Sequence, residues 1–244
     1  MITKDLLNKD LVLQLDNEVA TLGIQDTLRY LSTRFQGEIV FSTSFGQEDQ
    51  VITDMIFTSD LPILVFTLDT GRHFEETYKV MNQTLSKYEK KIKVCFPDKE
   101  QVEKLMTKKG PYSFYESVEN RKECCHIRKV EPLQKVLSLA SCWITGLRSG
   151  QSGARHQLKQ FSYDVANKVI KYNPLIKWSL DEVNEYLKLN HVPHNVLYDR
   201  GFLSIGCAPC TRAVAEGENI RSGRWWWESN STKECGLHQN DQKE

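Results

Sequence analysis

Near the C-terminal end, Lys233-Glu234-Cys235-Gly236-Leu237-His238 sets one cysteine beside two basic side chains and a glycine. A thiol attacks as its thiolate, so positive charge from Lys233 and His238 would favour the reactive form of Cys235, and Gly236 leaves the backbone next to the sulfur uncrowded. Taken alone, the hexapeptide reads equally as a free cysteine on a polar end, Gln239 to Glu244. Two further cysteine groups bear on the choice, Cys124-Cys125 and, about eighty residues later, Cys207-Ala208-Pro209-Cys210. Four cysteines in two close pairs can hold zinc or an iron–sulfur cluster. Adjacent residues on a helix point about 100° apart, which is awkward for one tetrahedral ion but suits two irons of one cubane, so the geometry favours a [4Fe-4S] cluster over zinc. Such a cluster is anionic and wants cations nearby. Arg128 and Lys129 follow the first pair and Arg212 follows the second, although the same charges also read as a solvated helix face. A side chain at Lys129, between cluster and pocket, could couple the cluster's field to a bound anion.

The elements that must position these groups read as α/β. Apolar residues from Asp5 to Phe35 predict two helices parting near Asp16-Asn17. The strand Ile39-Val40-Phe41 runs into the hydroxyl-rich turn Ser42-Thr43-Ser44-Phe45-Gly46 and a helix over Val51–Phe57; a second strand, Ile63–Leu68, runs into Asp69-Thr70-Gly71-Arg72 and another helix. A strand–turn–helix order leaves backbone N–H groups free for an anion, while the bland alternative is helix capping. Two such turns in succession predict one crevice lined by both. Strands over Ile92–Phe96 and Cys142–Thr145 carry Cys95 and Cys142 as buried packing residues, and Asp98–Gly110 reads as a solvated helix. Tyr112–Val118 reads as an aromatic wall, Cys124-Cys125 as the opening of a helix, and Val169–Tyr172 with a helix capped by Ser179 as completion of the fold. Trp225-Trp226-Trp227 read as packing or tail anchoring in preference to adenine stacking, and His73, His126, His156, His191 and His194 as surface or packing residues.

With 244 residues, and lysine plus arginine balancing aspartate plus glutamate at 32 each, the chain carries no global bias toward nucleic acid or an anionic membrane; any anion site must be local. It has no apolar run of spanning length, and Met1-Ile2-Thr3-Lys4-Asp5 lacks a signal pattern, which predicts a cytoplasmic protein with no membrane partner. Seven cysteines in a reducing compartment point to metal ligation and thiol chemistry rather than disulfides.

With these residues assembled, the chain resembles the sulfonucleotide reductases, in their cluster-bearing adenylyl-sulfate-reducing branch. The likeness rests on Ser42–Asp49, Leu68–Tyr78, Cys124–Leu133, Gly146–Gln157, Cys207–Arg212, Arg221–Glu228 and the terminal Glu234-Cys235-Gly236-Leu237-His238. It implies a doubly wound, mostly parallel sheet of the adenine-nucleotide α-hydrolase type with a flexible C-terminal tail. The implied arrangement is packing helices in 1–36, a nucleotide and cluster domain in 37–228, and a nucleophile-bearing tail in 229–244 acting as a lid. It further implies a [4Fe-4S] cluster on Cys124, Cys125, Cys207 and Cys210 that passes no electrons to substrate. Cys235, aided by His238 and Lys129, would attack the sulfur of adenosine 5′-phosphosulfate, and thioredoxin or glutaredoxin would release sulfite from the resulting thiosulfonate, in sulfate assimilation toward cysteine. Ser42, Ser44, Phe45, Gly46, Asp69, Thr70, Gly71 and Arg72 are expected at the nucleotide, Arg148 or Arg155 as its grip, and Arg221 and Arg224 on the phosphosulfate, with a homo-oligomeric assembly. Cluster cysteines favour adenylyl sulfate over its 3′-phosphorylated form; use of that form, or of both, is the alternative. A cluster-dependent, ATP-using RNA thiolation enzyme is disfavoured because Phe45 and a single glycine stand where a Ser-Gly-Gly-x-Asp-Ser pyrophosphate loop would be, and a non-catalytic cluster-binding sensor would make Cys235 dispensable.

Overall fold

The computed structural model describes residues 4–151, 155 and 157–228. Six strands form one sheet: β1 (Ile39–Ser42), β2 (Leu64–Leu68), β3 (Lys93–Cys95), β4 (Cys142–Ile144), β5 (Phe161–Asp164) and β6 (Val169–Tyr172), in the order β3-β2-β1-β4-β6-β5. All pairs are parallel except β5 with β6. Side chains alternate along a strand, and here the alternation feeds two cores. Ile39, Phe41, Cys142, Ile144, Ile170 and Tyr172 enter one, and Val40, Trp143 and Val169 the other. Both faces are therefore covered, as the doubly wound reading requires.

The first core is covered by α1 (Lys9–Glu18), α2 (Ile24–Arg34), α3 (Gln47–Thr58), α4 (Glu75–Tyr88) and α8 (Leu180–Leu189); α7 (Glu131–Leu137) covers the second. A third cluster joins α5 (Lys99–Lys109), Phe114 and α6 (Val118–Cys125) to Cys207, Cys210 and Trp225. Ser179 caps α8 through a reciprocal capping box with Glu182. Three expectations change. The first helix runs straight through Asp16-Asn17, whose side chains are half-buried and exposed, and the break falls between Val19 and Gly23, the extended N-cap of α2. The cysteine pair closes α6 rather than opening a helix: Ser117 caps the start, and after Cys125 the chain widens into a π-turn, His126–Val130, closed by the Glu131 N–H bonding to the His126 carbonyl. Pro132, which lacks an N–H, stands directly after it. The antiparallel edge strand β5 was not foreseen, and Cys95 on the other edge is only half-buried while Cys142 is fully buried.

Phe41 lies fully buried at the centre of β1, paired with Val65 on one side and Ile144 on the other. Phe41→Ala should destabilise the fold by about 3–5 kcal/mol, read from the urea midpoint at unchanged slope. A loss below about 1 kcal/mol would mean that the sheet's centre can collapse around the cavity.

Candidate functional site

Between β1 and β4 the sheet order reverses direction, and a cavity of about 290 Å³ opens at the carboxyl ends of these strands. That is where open α/β sheets take ligands. Ser42, Ser44 and Gly46 from the β1 turn line it, as do Thr145 and Gly146 after β4. Asp49 ties the two loops together. Its Oδ2 accepts from both the Ser44 amide and the Ser44 hydroxyl, 2.6 Å each, and a Cβ on Gly146 would lie 2.0 Å from its Oδ1. Burial pushes the Asp49 carboxyl up to about 6, against the two Ser44 bonds that favour its ionised form. Tyr198 covers the start of α3, with its hydroxyl 3.4 Å from the Gln47 amide, and burial followed by the charge of Glu48 raises its pKa and keeps it protonated.

Five cations line the cavity: Lys129, Arg148, Arg155, Arg221 and Arg224. Arg148 is nearly buried, bonded to Glu48 at 3.1 Å and to the Trp178 carbonyl at 3.5 Å, and Arg155 donates to Gln151. Arg224 donates to the Ile205 carbonyl at 3.2 Å; its guanidinium fits because residue 206 is glycine, whose Cβ would meet it at 2.4–2.7 Å. Phe45, expected at the nucleotide, instead turns into the core: its backbone is left-handed (φ 58°), its side chain is 3% exposed, and it does not line the cavity. His73, read from sequence as a packing residue, lines the cavity with Nε2 donating to the Leu68 carbonyl; burial, helped by nearby Lys129, lowers its pKa and keeps the ring neutral. Glu48, Asp49 and His73 lie inside stretches already singled out, Ser42–Asp49 and Leu68–Tyr78, yet were not assigned to the site, and Tyr198 lies in none of them.

The second turn is divided between two spaces. Leu68, His73 and Thr77 line the large cavity, whereas Asp69, Thr70, Gly71 and Arg72 do not; Arg72 instead lines a smaller cavity with Cys124, Cys125, Cys207 and Cys210, Arg121 and Arg128. Thr70 Oγ1 lies 3.3 Å from Cys207 Sγ, the Thr70 carbonyl accepts from Arg128 at 2.6 Å, and the Arg72 carbonyl accepts from the Ala208 amide at 2.8 Å. Gly71 is left-handed (φ 69°) beside Arg128, and Asp69 accepts from the Gly71 amide and the Tyr78 hydroxyl. Lys129, alone among the described residues, lines both cavities.

The four cysteines share this cavity, although among the described residues no three histidine, cysteine or acidic side chains close on a single-ion position. The donor set fits an anionic sulfur cluster. Arg128 Nε and the indole N–H groups of Trp225 and Trp227 are buried around it without a hydrogen-bond partner. As thiols, Cys124 and Cys210 are held protonated by burial, Cys210 being pushed up to about 12, so a metal would have to displace their protons. Cys235 and His238 lie outside the described residues, as do Ser152–Ala154 and His156.

Asp49 sits above its unfolded pKa of 3.8, so the stability it contributes is complete below that value and is lost as pH rises through about 6. Asp49→Asn, which keeps an acceptor for Ser44, should gain about 2 kcal/mol relative to the parent between pH 4 and pH 7.5, followed by melting temperature across that range. A difference that stays flat with pH would mean Asp49 is ionised throughout.

The phosphoadenosine phosphosulfate reductase domain model matches residues 38–213. An adenosine 5′-phosphosulfate reductase of Agrobacterium fabrum is 44% identical over 92% of this chain and 86% of its own length. The enzyme of that name from Neisseria meningitidis serogroup B is 46% identical over 91% and 92%. The crystal structure of a phosphoadenylyl-sulfate reductase from Candida auris, in a phosphate complex, superposes with a TM-score of 0.72 at 28% identity, covering 85% of this chain and 98% of that one. Yeast FAD synthetase, at 17% identity and a TM-score of 0.53 over 83% and 68%, shares the fold alone. On the domain match and on identity across nearly the whole chain, the protein belongs to the phosphoadenosine phosphosulfate reductase family.

Proposed function

We propose that this chain reduces adenosine 5′-phosphosulfate to sulfite and AMP, in the assimilation of sulfate toward cysteine. The observation that carries the reading is Lys129, which lines both the cation-rich cavity at the switch point and the cavity of four cysteines. The name adenosine 5′-phosphosulfate reductase, borne by relatives at 44% and 46% identity, supports the same substrate. Cys124, Cys125, Cys207 and Cys210 would hold a [4Fe-4S] cluster, which when bound supplies fixed negative charge beside Arg128 and Lys129 rather than electrons.

In this reading Arg221, Arg224 and Lys129 neutralise the phosphosulfate oxygens, a task suited to guanidinium forks, and the β1 turn with the start of α3 receives the nucleotide. Cys235, with His238 supplying local positive charge, attacks the sulfate sulfur as a thiolate. The S–S bond forms as the S–O bond to the phosphate breaks, AMP leaves with the electron pair, and an S-sulfocysteine remains. A thiolate of thioredoxin or glutaredoxin then attacks the Cys235 sulfur and sulfite departs. The reductant's second thiol resolves the mixed disulfide, so the dithiol is oxidised as the substrate sulfur is reduced. Six residues lie between Glu228 and Cys235, and the seven Cα–Cα steps give a reach of at most about 25 Å. A reducing cytoplasm suits a chain with no disulfide among its described residues.

Anaerobic protein mixed with labelled adenosine 5′-phosphosulfate, without thioredoxin, should carry one sulfonate on Cys235 by mass spectrometry; bound substrate with no adduct would defeat the reading. Iron and sulfide should be found together after anaerobic purification, and zinc without sulfide would overturn the cluster. Lys129→Ala should slow turnover on the order of 10²-fold with iron content unchanged, and unchanged kinetics would remove its role. Rates on adenosine 5′-phosphosulfate and on its 3′-phosphorylated form, run in competition, separate this enzyme from the activity named for the Candida auris structure.

A further inference from the structure

Residues 221–228 form a strap that supplies Arg221, Arg224 and Trp225 to the large cavity, yet its anchors lie on the cysteine elements. The Gly223 carbonyl accepts from the Arg212 amide at 2.9 Å, Arg224 bridges to Thr211, and the Trp225 amide donates to the Cys210 carbonyl at 3.2 Å. At its end, Glu228 accepts from Arg121 through both oxygens, Nε to Oε1 at 2.8 Å and Nη2 to Oε2 at 2.7 Å, with the two side chains 1% and 2% exposed. Arg121 lies one turn before Cys124 on α6 and lines the cysteine cavity but not the large one. Its guanidinium and that of Arg224 each sit 4.6 Å from the Trp225 ring centroid. Trp225 holds a left-handed backbone (φ 41°), a conformation that a bulky residue keeps only where its surroundings over-determine it.

We propose that Arg121 and Glu228 are positioning residues for substrate binding: their buried pair fixes the strap, and through Trp225 it sets Arg224 and Arg221 against the phosphosulfate. Neither side of the pair touches the large cavity, so the effect passes through the strap alone. The consequence is that the shape of the cysteine cavity is read out as affinity for the anion next door. The inference rests on the substrate reading above.

A double-mutant cycle tests it, using full-length, cluster-loaded protein in a Cys235→Ser background that prevents turnover. Calorimetric titration with adenosine 5′-phosphosulfate and with AMP compares Glu228→Gln, Arg224→Ala and the two together. Each single change should weaken adenosine 5′-phosphosulfate binding about tenfold and AMP binding less, and the combination should lose clearly less than the two single losses multiplied, because the strap can still misplace Arg221 but not an arginine that is gone. Trypsin should cut after Arg224 faster in Glu228→Gln at equal iron content. Unchanged affinity in Glu228→Gln, or losses that multiply in the double variant, would overturn the proposal. Should Glu228→Gln fail to retain iron, Arg121→Lys, which keeps the charge near Trp225 but loses the two-point contact, enters the same cycle. Iron and affinity falling together in both would reduce the pair to a structural support and overturn the positioning role. The cycle reads binding only, so its outcome is independent of whether Cys235 forms an adduct.

Discussion

Two cysteine pairs about eighty residues apart share one cavity because the turn after β2 grips both of them. Arg128, three residues past α6, donates to the Thr70 carbonyl; the Thr70 hydroxyl meets Cys207, and the Ala208 amide returns to Arg72. A charged donor bonded to a buried carbonyl is one of the stronger neutral-to-ion contacts in a protein, and losing its acceptor would strand a cation in the interior. The turn can play this part because Gly71 adopts a left-handed backbone beside the guanidinium. Around the same cavity stand Arg72, Arg121, Arg128 and Lys129, a density of positive charge that the chain's balanced composition hides. Like charges this close in a partly dry setting call for negative partners, which thiolate sulfur and the Glu228 carboxylate can both provide.

The doubly wound order places this cavity beside the ligand crevice. β2 lies next to β1, so the turn beside the cysteine cavity leaves the sheet one strand away from the turn that lines the larger cavity. The π-turn after Cys125 adds a residue to the helical path at the point where it passes between the two, and Lys129 lies on that widened turn and lines both spaces. A local widening of the helix thus puts one ammonium on the wall of both cavities.

Much of this was legible in the sequence. The strand-and-helix order, the tandem and spaced cysteines and the arginines near the end are local patterns, and local patterns survive reading one residue type at a time. What escaped depends on partners distant in sequence. The second turn reads like the first, and only its contacts with Arg128 and Cys207 reveal that Thr70 and Arg72 face the cysteines rather than the larger cavity. Phe45 looked like part of an anion loop because its left-handed backbone, which swings the ring into the core, has no signature in its residue type. The start of α6 was overlooked because Val118–Glu123 has almost no apolar face, being held by Arg121 and by the Ser117 cap instead of by a hydrophobic stripe. Glu228 closes the stretch Arg221–Glu228 that carries the likeness but was given no role there, and its burial is visible only once Arg121 is opposite it.

The contact between Asp49 and residue 146 constrains how this crevice can diversify. Any side chain at residue 146 would overlap the Asp49 carboxylate, and a longer acid at 49 would strike the loop that carries it. The two positions, nearly a hundred residues apart, are therefore a single unit of inheritance: a lineage that enlarges one must first shrink the other, and every intermediate along that path rebuilds the floor on which the nucleotide would rest.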